Sequence, residues 1–334
     1  MKRTAKLWVG IGAYLLTSVG SSAYGSTPSS TAPGPHAAEA TGATLLAFTA
    51  DPCRRGGGGE GGEGGEGGEG GEGGGSASPL TGLNPAIDPA ELDRAVEGYQ
   101  TYVAQEVDRL LTDAAAFTDR VLAGDVEGAK ALYAPSRLGW ERIEPIAESF
   151  AALDGAIDAR VDDFRGEDDP AFTGFHRLEM GLFKYNTTEG YEPFARNLME
   201  DLRSLQVCTS FLTIEPRDMV RGASELIEEV AQGKITGEEE RYSHTDFWSF
   251  QANVEGSQKI VSLVRPLVQR IEPALLQEID RDFAAVNGVL ERYRLPGGGF
   301  EPYTTLTPSD RRRLQSDLAR LAENLSTLRG VIGV

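Results

Sequence analysis

"DPAELDRAVEGYQTYVAQEVDRLLTDAAAFTDRVLAGD", residues 88–125, decides the fold class. Asp88 supplies an N-cap, Pro89 the first helical position, and Glu91 an acidic group three residues on from the cap. A helical pattern then runs to the break "AGD" at 123–125. The same reading predicts helices over about 126–150, 171–185, 192–211, 216–232, 239–271, 273–294 and 308–331. "YNTTEG" at 185–190, "GKITGEE" at 233–239 and "LPGGGFEPY" at 295–303 punctuate them. In "ITGEEE" Thr236 is expected as a further cap, with Glu239 at the third helical position. No window of alternating Val, Ile and Thr competes, so strands are expected to be absent or trivial. Long helices on short loops pack as an antiparallel bundle, and the fold class is all-α.

Upstream of Asp88 the sequence changes character. Lys2, Arg3 and Lys6 precede the short apolar run "LWVGIGAYLL", and "SSAYG" offers small residues for cleavage near Gly25. Residues 1–25 therefore read as an export signal, too short in its apolar part for a stable span. The mature chain is expected to be soluble and extracytoplasmic, in the periplasm where there are two membranes. Residues 26–85 are Ser/Thr/Pro-rich and then a Gly-Gly-Glu repeat, with glutamates at 60, 63, 66, 69 and 72. Such sequence cannot bury apolar surface and reads as a disordered acidic tether. Residues 86–334 are the folded domain.

The net charge is −19, of which −17 falls on residues 86–334. That excess repels phosphate backbones and anionic lipid, which argues against a nucleic acid or a membrane surface as partner. Cys53 and Cys208 are the only cysteines. Cys208 lies in a helical pattern and is expected to be buried and unpaired, with a disulfide to Cys53 as the alternative after export. "TADPC" lacks the small residue that precedes a lipid-modified cysteine. Two cysteines and three histidines, one of them His36 in the tether, exclude a thiolate centre or a His-rich zinc site.

Two stretches carry possible chemistry. In "GWERIEPIAESF", residues 139–150, Glu141, Glu144 and Glu148 fall opposite the stripe Ile143, Ile146, Ala147 and Phe150, the pattern of a solvated face. Pro145 follows Glu141 by four, however, and its ring disrupts the helix at the Glu141 carbonyl, a kink able to tilt Glu141 and Glu144 inward. "AFTGFHRLEMGLF" is the reverse case. As a helix it puts Phe172, Phe175 and Phe183 on one face and His176 with Glu179 in the middle of it. A buried imidazole and carboxylate must be paired internally or bound to something; the His-x-x-Glu spacing points both the same way, as a metal pair requires. "LDGAIDARVDDF" adds Asp154, Asp158 and Asp162 at four-residue spacing, one of which is in reach of a shared centre. Asp246 reads as a first-turn acid, and Gln251 and Asn253 as bonds across the bundle. His244 reads as a loop residue. There is no HExxH, GxSxG or phosphate loop. A Glu/Asp site with one His suits a hard or borderline cation such as iron or manganese.

"SRLGWERIEPIAESF", "GFHRLEMGLF" and "GKITGEEERYSHTDFWSFQANVEGSQKI" resemble the imelysin-like domain of EfeO-type iron-uptake components, over roughly residues 88–334. The resemblance implies a helical bundle of two four-helix halves. It also implies that the domain binds ferrous or ferric iron, with copper or zinc as competing ions, and passes it to a membrane permease. A haem-peroxidase-type partner completes such systems. It places metal-ligand roles on Glu141, Glu144, Asp158, His176, Glu179 and Glu240, with Glu238 and Glu239 competing for the last. Many family members begin with a cupredoxin-like domain where this chain has the tether, and Phe247 and Ser249 stand where the family often has Leu and Asp. The imelysin name carries a peptidase label, which one motif histidine and no HExxH do not support. Some relatives bind acidic polysaccharide, which a charge of −17 disfavours without bridging cations.

Overall fold

A computed structural model describes Cys53 and residues 82–334, which belong to one compact unit. The expected export signal and most of the expected tether lie outside the described residues. The described part of the tether has structure at its end: Asn84 N–H donates to the Ile332 carbonyl at 2.9 Å, and its side-chain amide donates to the Val331 carbonyl at 2.9 Å.

Nine α-helices are described: α1 Pro89–Leu122, α2 Val126–Ile143, α3 Ala151–Ile157, α4 Gly174–Glu179, α5 Glu192–Phe211, α6 Pro216–Gln232, α7 Asp246–Ile271, α8 Pro273–Leu290 and α9 Pro308–Ile332. Asp88 caps α1 as the sequence predicts, its side chain accepting from Ala90 N–H. The long helices pack in two sets. α1, α2, α5 and α7 form one, and α6, α7, α8 and α9 form the other, so α7 belongs to both. The two four-helix halves thus share a helix. One continuous core runs through them, with Tyr99, Phe117, Tyr133, Trp140, Phe150, Phe175 and Phe250 fully buried. An isolated bridge between Arg294 and Phe300 is all the β-structure among the described residues. No described helix is long and apolar enough to cross a membrane.

The helix predicted over 273–294 ends at Leu290 and runs into a 3₁₀ turn, Glu291–Tyr293, and the other main departures lie near one place. The helix predicted over 126–150 stops at Ile143. Residues Glu144–Phe150 form a tight 3₁₀ segment with Ile146 out of helical geometry, because Pro145 offers no N–H and its ring crowds the Glu141 carbonyl. The helix predicted from 239 begins only at Asp246. Thr236 ends a short turn, Lys234–Thr236, and Gly237 then takes a left-handed conformation that stops propagation. The helix predicted over 171–185 starts at Gly174, so Phe172 is not on it; Phe172 packs instead with Val161 and Met180. Beyond Glu179 the chain widens into a π-helical turn, Met180–Lys184.

The cysteines also differ from expectation: Cys53 and Cys208 form a disulfide across 155 residues of sequence. Its local sequence gives no hint of pairing, because Cys53 sits far upstream of any helical pattern. Closing so long a loop restricts the unfolded chain and is worth roughly 5 kcal/mol in the chain-entropy account.

Two glycines let elements approach at the breaks. A Cβ on Gly222 of α6 would lie 1.7 Å from the Pro145 carbonyl oxygen. Gly174 has φ of +77°, and a Cβ there would lie 2.2 Å from the Ile157 oxygen at the end of α3. We expect Gly174→Ala to lower unfolding stability by about 2 kcal/mol, through positive φ and overpacking together. Urea denaturation checks this; an unchanged midpoint would show that α3 and α4 need no such contact.

Candidate metal centre

α2 carries Tyr133, Arg137 and Glu141 at four-residue spacing, so all three project from one face. The break at Pro145 swings Glu144 alongside Glu141, where Asn253 of α7 donates to both, to Glu141 Oε2 at 2.9 Å and Glu144 Oε2 at 2.6 Å. α3 ends at Asp158, and the close contact at Gly174 brings Asp158 Oδ1 to 3.7 Å from His176 Nε2. The turns before α7 supply Glu239, Glu240, Tyr242 and Ser243. All six residues predicted as ligands, Glu141, Glu144, Asp158, His176, Glu179 and Glu240, therefore meet in one place.

They meet as two adjoining groups. Donor atoms of His176, Glu179 and Glu240 lie within 4.8 Å of one another, and so do those of Glu141, Glu144 and Glu239. Each group surrounds a buried cation of the protein's own. Arg137 reaches Glu141 at 2.5 Å, Asp158 at 2.9 Å and Glu240 at 3.1 Å, and its Nη1 meets His176 Nε2 at 3.0 Å. Lys234 Nζ reaches Glu144 Oε1, Glu239 Oε1 at 2.8 Å and Glu141 Oε2 at 3.8 Å.

Hydrogen-bond chemistry separates the roles. A guanidinium only donates, so His176 Nε2 accepts from Arg137, and Nδ1–H is left to donate to Glu179 Oε2 at 3.2 Å. A ligating imidazole is commonly oriented in this way, its far N–H held by a carboxylate; here its other nitrogen is taken by Arg137. Glu179 Oε1 accepts from Tyr242 N–H, Ser243 N–H and Ser243 Oγ at 2.8–3.0 Å. Glu240 accepts from Tyr133 OH at 2.8 Å and Ser249 Oγ at 3.0 Å. A cleft of about 620 Å³ opens on Glu144, Asp158, His176, Lys234 and Glu239, with Asp154, Glu225 and Glu229 further along its wall. Glu141, Glu179 and Glu240 stand behind these.

The charges do not balance: six carboxylates here, Glu239 included with five of the predicted ligands, face two cations. Burial drives the Glu144 carboxyl well above its usual range, with Glu141 and Glu239 adding repulsion against Lys234. Burial likewise lifts Glu239, and Glu240 to about 8. Asp154 and Asp246 rise to about 7, again chiefly from burial. For Glu141, burial is outweighed by Arg137 and Lys234, and its carboxyl falls to about 2. Burial and Arg137 pull His176 down, but Glu179, Glu240 and Asp158 prevail and lift it. A proton on Nε2 would cost the Arg137 bond.

The remaining predicted acids behave as surface. Glu148 is exposed and pairs with Arg221, and Asp162 pairs with Arg241. Glu238 is exposed, while the register ambiguity at 238–240 resolves with Glu239 in one group and Glu240 in the other. His244 lies outside both groups. Asp246 is fully buried and accepts from Glu240 N–H, so it is more than a first-turn acid. The sequence reading missed Arg137 and Lys234. Arg137 was detectable, four residues before Glu141 on the same face. Lys234 has no local signal, because two of its three partners lie ninety residues away.

Fold and site together define a helical-bundle protein with a buried, oxygen-rich pocket of hard-cation donor chemistry. The imelysin family profile, classed as peptidase M75, matches residues 95–328, and the chain belongs to this family. It is 54% identical over 244 residues to the iron uptake system component EfeO of Escherichia coli K12, and equally to those of Shigella flexneri and Shigella sonnei. The match covers 73% of this chain and 65% of each relative, so the chain spans under two thirds of the length of these relatives.

A group whose folded pKa is raised holds a proton that the unfolded chain has lost, so stability falls as pH rises between the two values. For Glu240 that window runs from 4.5 to about 8, and for Asp154 and Asp246 from 3.8 to about 7. The metal-free protein is expected to lose about 5 °C of Tm between pH 5.5 and 8, the equivalent of about 2 kcal/mol. A Tm that rises over this range would mean that these acids titrate normally.

Proposed function

We propose that this chain is the extracytoplasmic iron-binding component of an iron-uptake system, holding iron as cargo in the pocket and delivering it to a membrane permease. The observation that carries the reading is the surplus of buried carboxylate opening onto a cleft. Burying unpaired acids costs free energy that an entering cation offsets. Glu144, Asp158 and Glu239 meet the ion first, with Glu141, Glu179 and Glu240 completing or holding the set and His176, whose Nε2 accepts from Arg137, beside it. Oxygen donors with a single imidazole and no thiolate suit ferrous or ferric iron, while copper and zinc compete through intrinsic affinity. The similarity to EfeO proteins supports the iron assignment, and a system component needs a permease and, on the expectation above, a haem-peroxidase-type partner.

Peptide hydrolysis fits less well. A general base needs a carboxylate oxygen free to take a proton from water. Glu179 has one oxygen saturated by three donors and the other on His176 Nδ1. We therefore read the chain as a carrier and not an enzyme.

Anaerobic titration with ferrous ion tests the reading. Stoichiometric binding is expected, weakened about tenfold or more by Glu144→Gln or Asp158→Asn, each lost charge–metal contact being worth at least 1.4 kcal/mol. Glu148→Gln should bind like the parent. A parent protein that takes up no ferrous or ferric ion contradicts the proposal.

A further inference from the structure

Lys234 occupies the space between three carboxylates whose oxygens lie close enough together to hold a metal ion. Its ammonium is only 3% exposed, yet the residue lines the cleft. An ion cannot enter the Glu141–Glu144–Glu239 group while the ammonium remains there, since two cations at such range repel strongly in a dry site. Arg137 differs. It does not line the cleft, and its planar fork is pinned by Tyr133, Glu141, Asp158, His176 and Glu240. Lysine is a point charge on a flexible four-carbon stem, free to move where a guanidinium is not. Lys234 also has somewhere to go, for Asp154 and Glu229 lie along the same cleft.

We propose that Lys234 is a displaceable resident cation. It neutralises the Glu141–Glu144–Glu239 group in the empty protein, swings to Asp154 and Glu229 as the metal ion loads, and returns to help expel it. This rests on the carrier reading above and gives it a release mechanism. The ammonium competes with the cargo for the same oxygens, so binding stays weak enough to be reversed. No bond is made or broken, and the charge that leaves the box when the ion enters is held at the cleft wall.

The test uses ferrous ion under anaerobic conditions with the parent, Lys234→Met, Asp154→Asn/Glu229→Gln, and the triple variant. Lys234→Met is expected to bind at least tenfold more tightly. The Asp154/Glu229 change should weaken binding in the parent background and have no effect once Lys234 is gone. Brief acetylation read by mass spectrometry gives a second measurement on the unaltered protein: modification of Lys234 should rise on loading, with Lys259 as the unchanged control. If Lys234→Met fails to fold, the acetylation result decides. Equal or weaker binding by a folded Lys234→Met, or Lys234 no more reactive when loaded, overturns the proposal. If the parent binds no metal ion at all, the carrier reading itself has failed; if it binds and only the Lys234 effects are missing, the carrier reading stands and Lys234 is a fixed counter-ion.

Discussion

The guanidinium of Arg137 ties together four separate pieces of the chain. It holds Glu141 of its own helix, Asp158 at the end of α3, His176 of α4 and Glu240 in the turns before α7. None of these acids would be stable in a dry interior without a partner, and none lies on a stretch that would bring it there by local preference alone. One buried cation therefore joins segments at three helix ends. Its carboxylate partners keep it charged despite burial.

The breaks in the helices follow from this need. α2 halts before Pro145, α4 begins at a glycine no other residue replaces without strain, and α7 starts late at Asp246. The bundle supplies rigid walls from α2 and α7, and the irregular turns between helices supply the functional side chains. Asn253, projecting from α7, locks Glu141 and Glu144 together across that junction.

The long helices were legible because apolar periodicity and capping residues are local signals; α1, α5 and α6 match their predicted ranges. The site was legible in part. His176 and Glu179 stood out as polar residues among phenylalanines, and Pro145 signalled the break that turns Glu144 inward. The start of α7 was misread because Thr236 and Glu239 mimic a capping box, whereas Glu239 is drawn into a buried ion pair with Lys234 instead. The Cys53–Cys208 bond was legible only as the less favoured alternative and the Lys234 cluster not at all, since each joins segments that only the folded chain brings together. The family match agrees with the all-helical fold.

What the account asserts above all is that a metal ion belongs between the cleft-facing donors. Anomalous X-ray diffraction at the iron edge, from crystals loaded with iron, tests this most directly. The expected result is a single strong peak bounded by Glu144, Asp158 and Glu239, with Arg137 still on His176 Nε2 and Glu179 still holding Nδ1. A peak elsewhere on the acidic surface, or a pocket that keeps both Arg137 and Lys234 in place with no ion beside them, would contradict it.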